Sequence, residues 1–92
     1  MIGKKYDGAK PRWCLLPIKQ VEDAVKVLTF GAIKYNDNNW KYVKDAKNRY
    51  YSAAMRHLKD WKLGKKTDKE WKLPHLAHAV CCLLFIMWLD DK

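Results

Sequence analysis

The chemistry in this chain is most visible in its three histidines. His75 and His78 are three residues apart, so a helix would carry both on one face, one turn before Cys81 and Cys82. His57 directly follows Arg56 in an earlier segment. Imidazole exchanges protons near neutral pH, and three His with a Cys would also make a zinc ligand set. For zinc the pattern is weak, because His-x-x-His is less specific than His-x-x-x-His and no carboxylate lies between the two to act as base. Histidines bonding across a helical bundle are the competing reading. Mg²⁺-dependent cleavage of a pyrophosphate on helices would need paired carboxylates, Glu-x-x-Glu on one helix and Glu-x-x-Asp on the next, because a hard cation wants oxygen ligands. Neither pair is present: Asp45 and Asp60 are far apart, and the C-terminal segment has no acid before Asp90 and Asp91. Gly31 and Gly64 are isolated, so there is no Gly-rich phosphate loop. Cys14 has no base near it in sequence, which leaves no nucleophile arrangement.

Three amphipathic segments must position these groups. The first spans about Ile18 to Tyr35, where Val21, Val25, Leu28 and Ala32 recur at helical spacing with Ala24 and Ile33 beside them. Pro17 precedes it, Glu22 and Asp23 suit its positive end, and Asn36-Asp37-Asn38-Asn39 ends it in a polar loop. The second spans about Asp45 to Leu63, with Tyr50, Ala54, Leu58 and Trp61 on one face, Asp45 as N-cap and Gly64 as stop. Thr67-Asp68-Lys69-Glu70 matches a capping box and predicts a further short turn of helix. The third spans about Pro74 to Leu89, with a stripe of Leu76, Val80, Leu83 and Met87 broadened by Leu84 and Trp88. It is apolar nearly all round, which predicts a central or oligomer-facing helix. Residues 1–17, broken by Gly3, Gly8, Pro11 and Pro17, read as an extended basic arm with a turn at Asp7-Gly8. The expected fold is all-α: one domain over 1–92, the arm at 1–17 and an antiparallel bundle of three main helices at 18–92, completed by self-association.

Composition narrows the partners. Nineteen Lys+Arg against ten Asp+Glu give +9, which favours an anionic partner such as nucleotide, nucleic acid or acidic lipid. Arginine is scarce (Arg12, Arg49, Arg56), and an isolated Arg among many Lys suits bidentate phosphate binding. Five tryptophans are heavy use for 92 residues, so some belong at a ligand site or interface. Three free cysteines, an odd number, fit a reducing compartment. The apolar run Ala79 to Leu89 is too short to span a bilayer, so no membrane partner is expected.

Several segments together have a familiar order and spacing. They run from Lys5-Tyr6-Asp7-Gly8-Ala9-Lys10-Pro11-Arg12-Trp13 and Leu15-Leu16-Pro17 through Leu28-Thr29-Phe30-Gly31-Ala32, Lys34-Tyr35, Asn39-Trp40 and Arg49-Tyr50. They continue with Arg56-His57-Leu58, Trp61, Gly64, Asp68, Glu70 and Leu73-Pro74-His75-Leu76-Ala77-His78-Ala79. Over nearly the whole chain this resembles the N-terminal domain of the phage dATP/dGTP diphosphohydrolase family. The resemblance implies a phosphate-bearing nucleotide ligand, a phage origin and the cytoplasm of an infected bacterium. It implies Asp68, Glu70, His57 and His78 as catalytic groups, with Mg²⁺ as cofactor if the ligand is hydrolysed and none otherwise. It also implies nucleotide contacts from Lys5, Tyr6, Asp7, Lys10, Arg12 and Trp13 in the arm, and from Tyr35, Asn39, Trp40, Arg56, His57, Trp61 and His75 in the bundle. Five positions depart from the family pattern: Cys14 stands for Asp, Asn36 for Gly, Lys65 for Glu, Lys72 for Gly and Cys82 for Asn. Two changes remove a carboxylate and two add a lysine, which weakens a Mg²⁺ site and strengthens phosphate attraction. Three functions are therefore weighed: a nucleotide binder that sequesters an immune messenger, an active dNTP pyrophosphohydrolase, and a nucleic-acid binder using the basic surface.

Overall fold

The computed structural model describes residues 1–92 and contains three long helices and no strands. We name them α1 (Ile18–Tyr35), α2 (Ala46–Lys62) and α3 (His75–Asp90). Short 3₁₀ turns lie at Trp13–Leu15 and Asn39–Tyr42. Every helix falls within a residue or so of its expected range, because proline precedes α1 and α3 and a glycine stops α2. Gly64, at φ +90°, closes α2 with a Schellman pair: Lys65 N–H donates to the Asp60 carbonyl and Gly64 N–H to that of Trp61.

Helix α3 is the middle element and packs on both others. His57 meets His75 at one end of the α2–α3 pair and Lys47 meets Asp90 at the other, so the two run antiparallel. Ala24 accepts from Cys81 while Phe30 stacks on Trp71, so α1 is antiparallel to α3 as well. The core is small: Ala24, Val27, Leu73, Ala77 and Cys81, with Trp71 and Phe85 packed against it.

The packing leaves one side of α3 uncovered. The stripe Leu76, Val80, Leu83, Met87 does not face the core; these residues are between 41% and 66% exposed, whereas His75, Ala77, His78, Ala79, Cys81 and Cys82 are buried. Small side chains at Ala54 and Ala79 let α2 and α3 approach closely, a gain that bulky leucines on that face would forfeit. Two capping expectations also change. Asp45 precedes α2 in a left-handed conformation, but its carboxylate accepts from the Asn48 amide rather than from a helix N–H. Residues 67–70 do not open a helix. The 63–74 connection is instead pinned as a loop, with Asp68 N–H donating to the Leu73 carbonyl and His75 N–H to that of Lys66.

The arm is exposed over residues 1–17 but not extended throughout: Lys10 N–H donates to the Asp7 carbonyl at the expected turn, and the 3₁₀ turn at Trp13–Leu15 interrupts its C-terminal part. No helix is long and apolar enough to cross a membrane.

Candidate functional site

A cavity of about 730 Å³ opens between the three helices, the Asn36–Trp40 loop and the 68–71 turn. Helical spacing builds its walls. Tyr50, Ala53 and His57 share one face of α2; His78, Cys82 and Phe85 share one face of α3; Val27, Gly31 and Lys34 come from α1. Seven residues separate His78 from Phe85, about 10 Å along the helix, so the cavity has a polar and an aromatic end.

Asp68 organises the polar end. Its carboxylate accepts from the backbone N–H groups of Trp71 (2.7 Å) and Leu73 (2.8 Å) and meets His78 Nε2 at 3.1 Å. Burial alone would raise its pKa, but these donors outweigh burial and hold the carboxyl down at about 2. His78 presents Nε2–H to the Asp68 carboxylate and leaves Nδ1 without a partner. His57 stacks on His78, with centroids 4.5 Å apart and planes 7° from parallel. Its Nδ1 lies 2.8 Å from Nδ1 of His75, whose Nε2 is 4.0 Å from Asp60. One of these two Nδ1 atoms carries the proton and the other accepts it. Burial, then the neighbouring His78 and His75, push the His57 pKa down to about 4, so it is neutral at physiological pH. The histidines do bond across the bundle, and no group of three or more His, Cys, Asp or Glu is arranged to hold a metal ion.

At the rim, Lys34 pairs with both oxygens of Glu70, at 3.0 and 3.1 Å, which raises the lysine pKa. Trp71 stacks between His78 and Phe30. At the aromatic end Trp40 stacks on Phe85 (4.3 Å, 12°) and Tyr50 meets Phe85 edge-on (5.1 Å). Burial raises the Tyr50 pKa and pushes the thiols of Cys81 and Cys82 up to about 12 and about 11, so both cysteines stay protonated and unreactive. Asn36 forms the lip with φ 84° and ψ 158°, a region essentially reserved for glycine, and Lys72 is left-handed at φ 60°. These are the two positions where the family resemblance expects glycine, so the backbone has kept the glycine conformation under a different side chain.

The cavity gathers His57, His78, Asp68, Glu70, Tyr35, Asn39 and Trp40 from the expected site residues. His75 is buried behind His57 as its hydrogen-bond partner. Arg56 lines a second hollow. The structure does not bring Lys5, Tyr6, Asp7, Lys10, Arg12 or Trp13 to either hollow; all six are exposed along the arm, Trp13 at 78%. Trp61 is half exposed and lines neither. Sequence reasoning missed Lys34, Tyr50, Trp71, Cys82 and Phe85 as cavity residues. Phe85 and Cys82 were within reach, since they stand seven and four positions after His78 on one helical face.

Fold and site together define a small all-α domain with a cavity that joins aromatic rings to a histidine cluster. Residues 2–92 match the family described as dATP/dGTP diphosphohydrolase, N-terminal, and the chain belongs to that family. It is 35% identical over 89 residues to a dATP/dGTP diphosphohydrolase of Salmonella phage PMBT28, an alignment covering 97% of this chain and 30% of that protein. The chain thus spans about 30% of the length of this phage relative. No solved structure matches it.

Proposed function

We propose that this domain binds a phosphate-bearing nucleotide in the 730 Å³ cavity and holds it without cleaving it. The observation that carries the reading is the pairing of walls: an apolar aromatic end at Trp40, Tyr50 and Phe85, and a polar end lined by His57, His78, Lys34 and Lys69. The volume falls within the range usual for small-molecule sites. His57 and His78 each keep one ring nitrogen free to hydrogen-bond a sugar hydroxyl or a base edge.

The carboxylates favour binding over turnover. Mg²⁺ takes several oxygen ligands at short range. The oxygens of Asp68 are already engaged by Trp71, Leu73 and His78, and those of Glu70 by Lys34. Only Asp37 at the lip has no such partner. These residues do not fit a Mg²⁺ site, so no step is routed through one. A nucleotide held intact is withdrawn from solution, and for a phage-type protein that amounts to sequestering a linear or cyclic messenger of host defence. The exposed stripe Leu76, Val80, Leu83 and Met87 supports self-association as part of the same reading.

Hydrolysis is the second reading, and the Asp68–His78 pair favours it. A carboxylate that fixes one imidazole nitrogen leaves the other free to take a proton from water. One mixture decides between them: protein, Mg²⁺ and a panel of deoxy- and ribonucleoside triphosphates, cyclic di- and trinucleotides and ADP-ribose species. Free nucleotide is measured by chromatography before and after heat denaturation. We expect a nucleotide that disappears and returns intact; conversion to monophosphate and pyrophosphate would establish the hydrolase instead.

A further inference from the structure

A second hollow of about 670 Å³ lies on the other side of the Tyr35, Asn39, Tyr50 and Ala53 wall, all four of which line both hollows. Its outer wall is one face of α2, where Arg49, Ser52 and Arg56 recur at i, i+3 and i+7. These are two of only three arginines in the chain. Neither guanidinium has a carboxylate partner, although lysines elsewhere pair with Glu22, Glu70, Asp60 and Asp90. The hollow's single acid, Asp45, lies at the N-terminal end of the face with its Oδ1 engaged by Asn48. Two unpaired arginine forks with a hydroxyl between them, about 10 Å apart along the axis, make a two-pronged grip. Such a grip suits tetrahedral oxyanions rather than planar apolar groups.

We propose that this hollow is a polyphosphate subsite: Arg49 and Arg56, with Ser52 between them, clamp the phosphate chain of the nucleotide whose base and sugar occupy the first cavity. The inference rests on the nucleotide reading above and adds where the phosphates go and which residues hold them. It divides the labour physically. The first cavity carries imidazole and aromatic rings, which reward burial of a base. The second carries fixed positive charge at a solvent-open surface, which neutralises phosphate at little desolvation cost because both arginines are exposed. Arg56 directly precedes His57, so a single turn of α2 faces both hollows. A ligand passing over the shared Tyr35–Tyr50 wall would be gripped at both ends by one helix.

The test uses the full chain and isothermal titration with deoxyadenosine, deoxyadenosine triphosphate and inorganic tripolyphosphate. Wild type is compared with Arg49→Gln, Arg56→Gln and the control Lys19→Gln, which removes a charge away from both hollows. Both arginines are exposed, and circular dichroism checks that the variants fold. We expect each arginine variant to lose about tenfold or more in affinity for triphosphate and tripolyphosphate. Deoxyadenosine binding and the Lys19→Gln control should stay within about twofold. Equal triphosphate binding by wild type and both arginine variants overturns the subsite and leaves the nucleotide reading intact. Tripolyphosphate that binds only when the arginines are present, with the nucleotide binding no better, upholds the phosphate grip and shows that the first cavity does not take deoxyadenosine. Binding of none of the three overturns the subsite, and the panel that includes cyclic nucleotides then decides the nucleotide reading.

Discussion

At the residue scale, Asp68 and His57 set how the polar end responds to pH. Asp68 is depressed from 3.8 to about 2 in the folded chain, so the unfolded chain binds its proton more readily. Its contribution is fully present above about pH 4 and lost as pH falls through 2, and a shift of this size is worth about 2 kcal/mol. His57 is depressed from 6.5 to about 4, and its sign is the same: neutral burial stabilises the fold above pH 6.5, and that stability declines as pH falls toward 4. Urea melts from pH 8 to pH 2 should therefore show two descents, one between about 6.5 and 4 and one between about 4 and 2. Asp68→Asn should abolish the lower descent and cost about 2 kcal/mol at pH 7, because Trp71 and Leu73 N–H groups lose a charged acceptor. A curve that is flat between pH 7 and 4 would show that His57 is not held neutral against His75 and His78.

At the element scale, Gly31 is the informative position. It lies within α1 and lines the first cavity, and a Cβ built there meets nothing within 4 Å. Glycine inside a helix costs roughly 0.5–1 kcal/mol relative to alanine, and nothing in the packing demands it. Gly31→Ala should raise stability by about that amount in thermal melts. Gly31→Leu should keep the fold yet reduce nucleotide affinity more than tenfold by filling the cavity, a size of effect typical of losing good contacts in a buried site. Unchanged affinity in Gly31→Leu would move the ligand out of this cavity. The helices themselves were legible, because proline before α1 and α3 and Gly64 after α2 fix boundaries by backbone chemistry alone. Which face turns inward was not. Periodicity picks out Leu76, Val80, Leu83 and Met87 as the apolar stripe of α3, whereas the side chains buried on α2 and α3 include the small Ala54, Ala79 and Cys82. Hydrophobicity records how apolar a face is, not how near its neighbour comes. The site was half legible for a related reason. His57, His78 and Asp68 announce their chemistry, whereas Trp71 and Phe85 carry no such signal and join the cavity only through the packing of the helices and loops.

At the scale of the whole molecule, shape and charge separate the arm from the bundle. The radius of gyration is 16.5 Å, against about 12 Å for a compact chain of this length. The arm holds Lys4, Lys5, Lys10 and Arg12 against one acid, Asp7, and its residues are exposed throughout. Its charges contribute to the +9 of the chain and attract anions from a distance without adding to the cavity walls. Removing residues 1–12 should leave the melting temperature within about 2 °C, because no core contact is lost. It should slow association with a nucleoside triphosphate about two- to fivefold at low salt, and the deficit should disappear above roughly 0.5 M salt, where fields are screened within a few ångströms. Stopped-flow tryptophan fluorescence at two ionic strengths measures both. An affinity loss that survives high salt would mean that Tyr6, Lys10 or Trp13 closes on the bound ligand, restoring the direct role the sequence assigns them. The nucleic-acid reading is tested in the same experiment. Were the basic surface a DNA site, a 20-nucleotide strand would bind far better than a triphosphate, with a steep salt slope set by the number of phosphates neutralised. A cavity that admits one nucleotide at a time predicts instead that affinity does not grow with strand length.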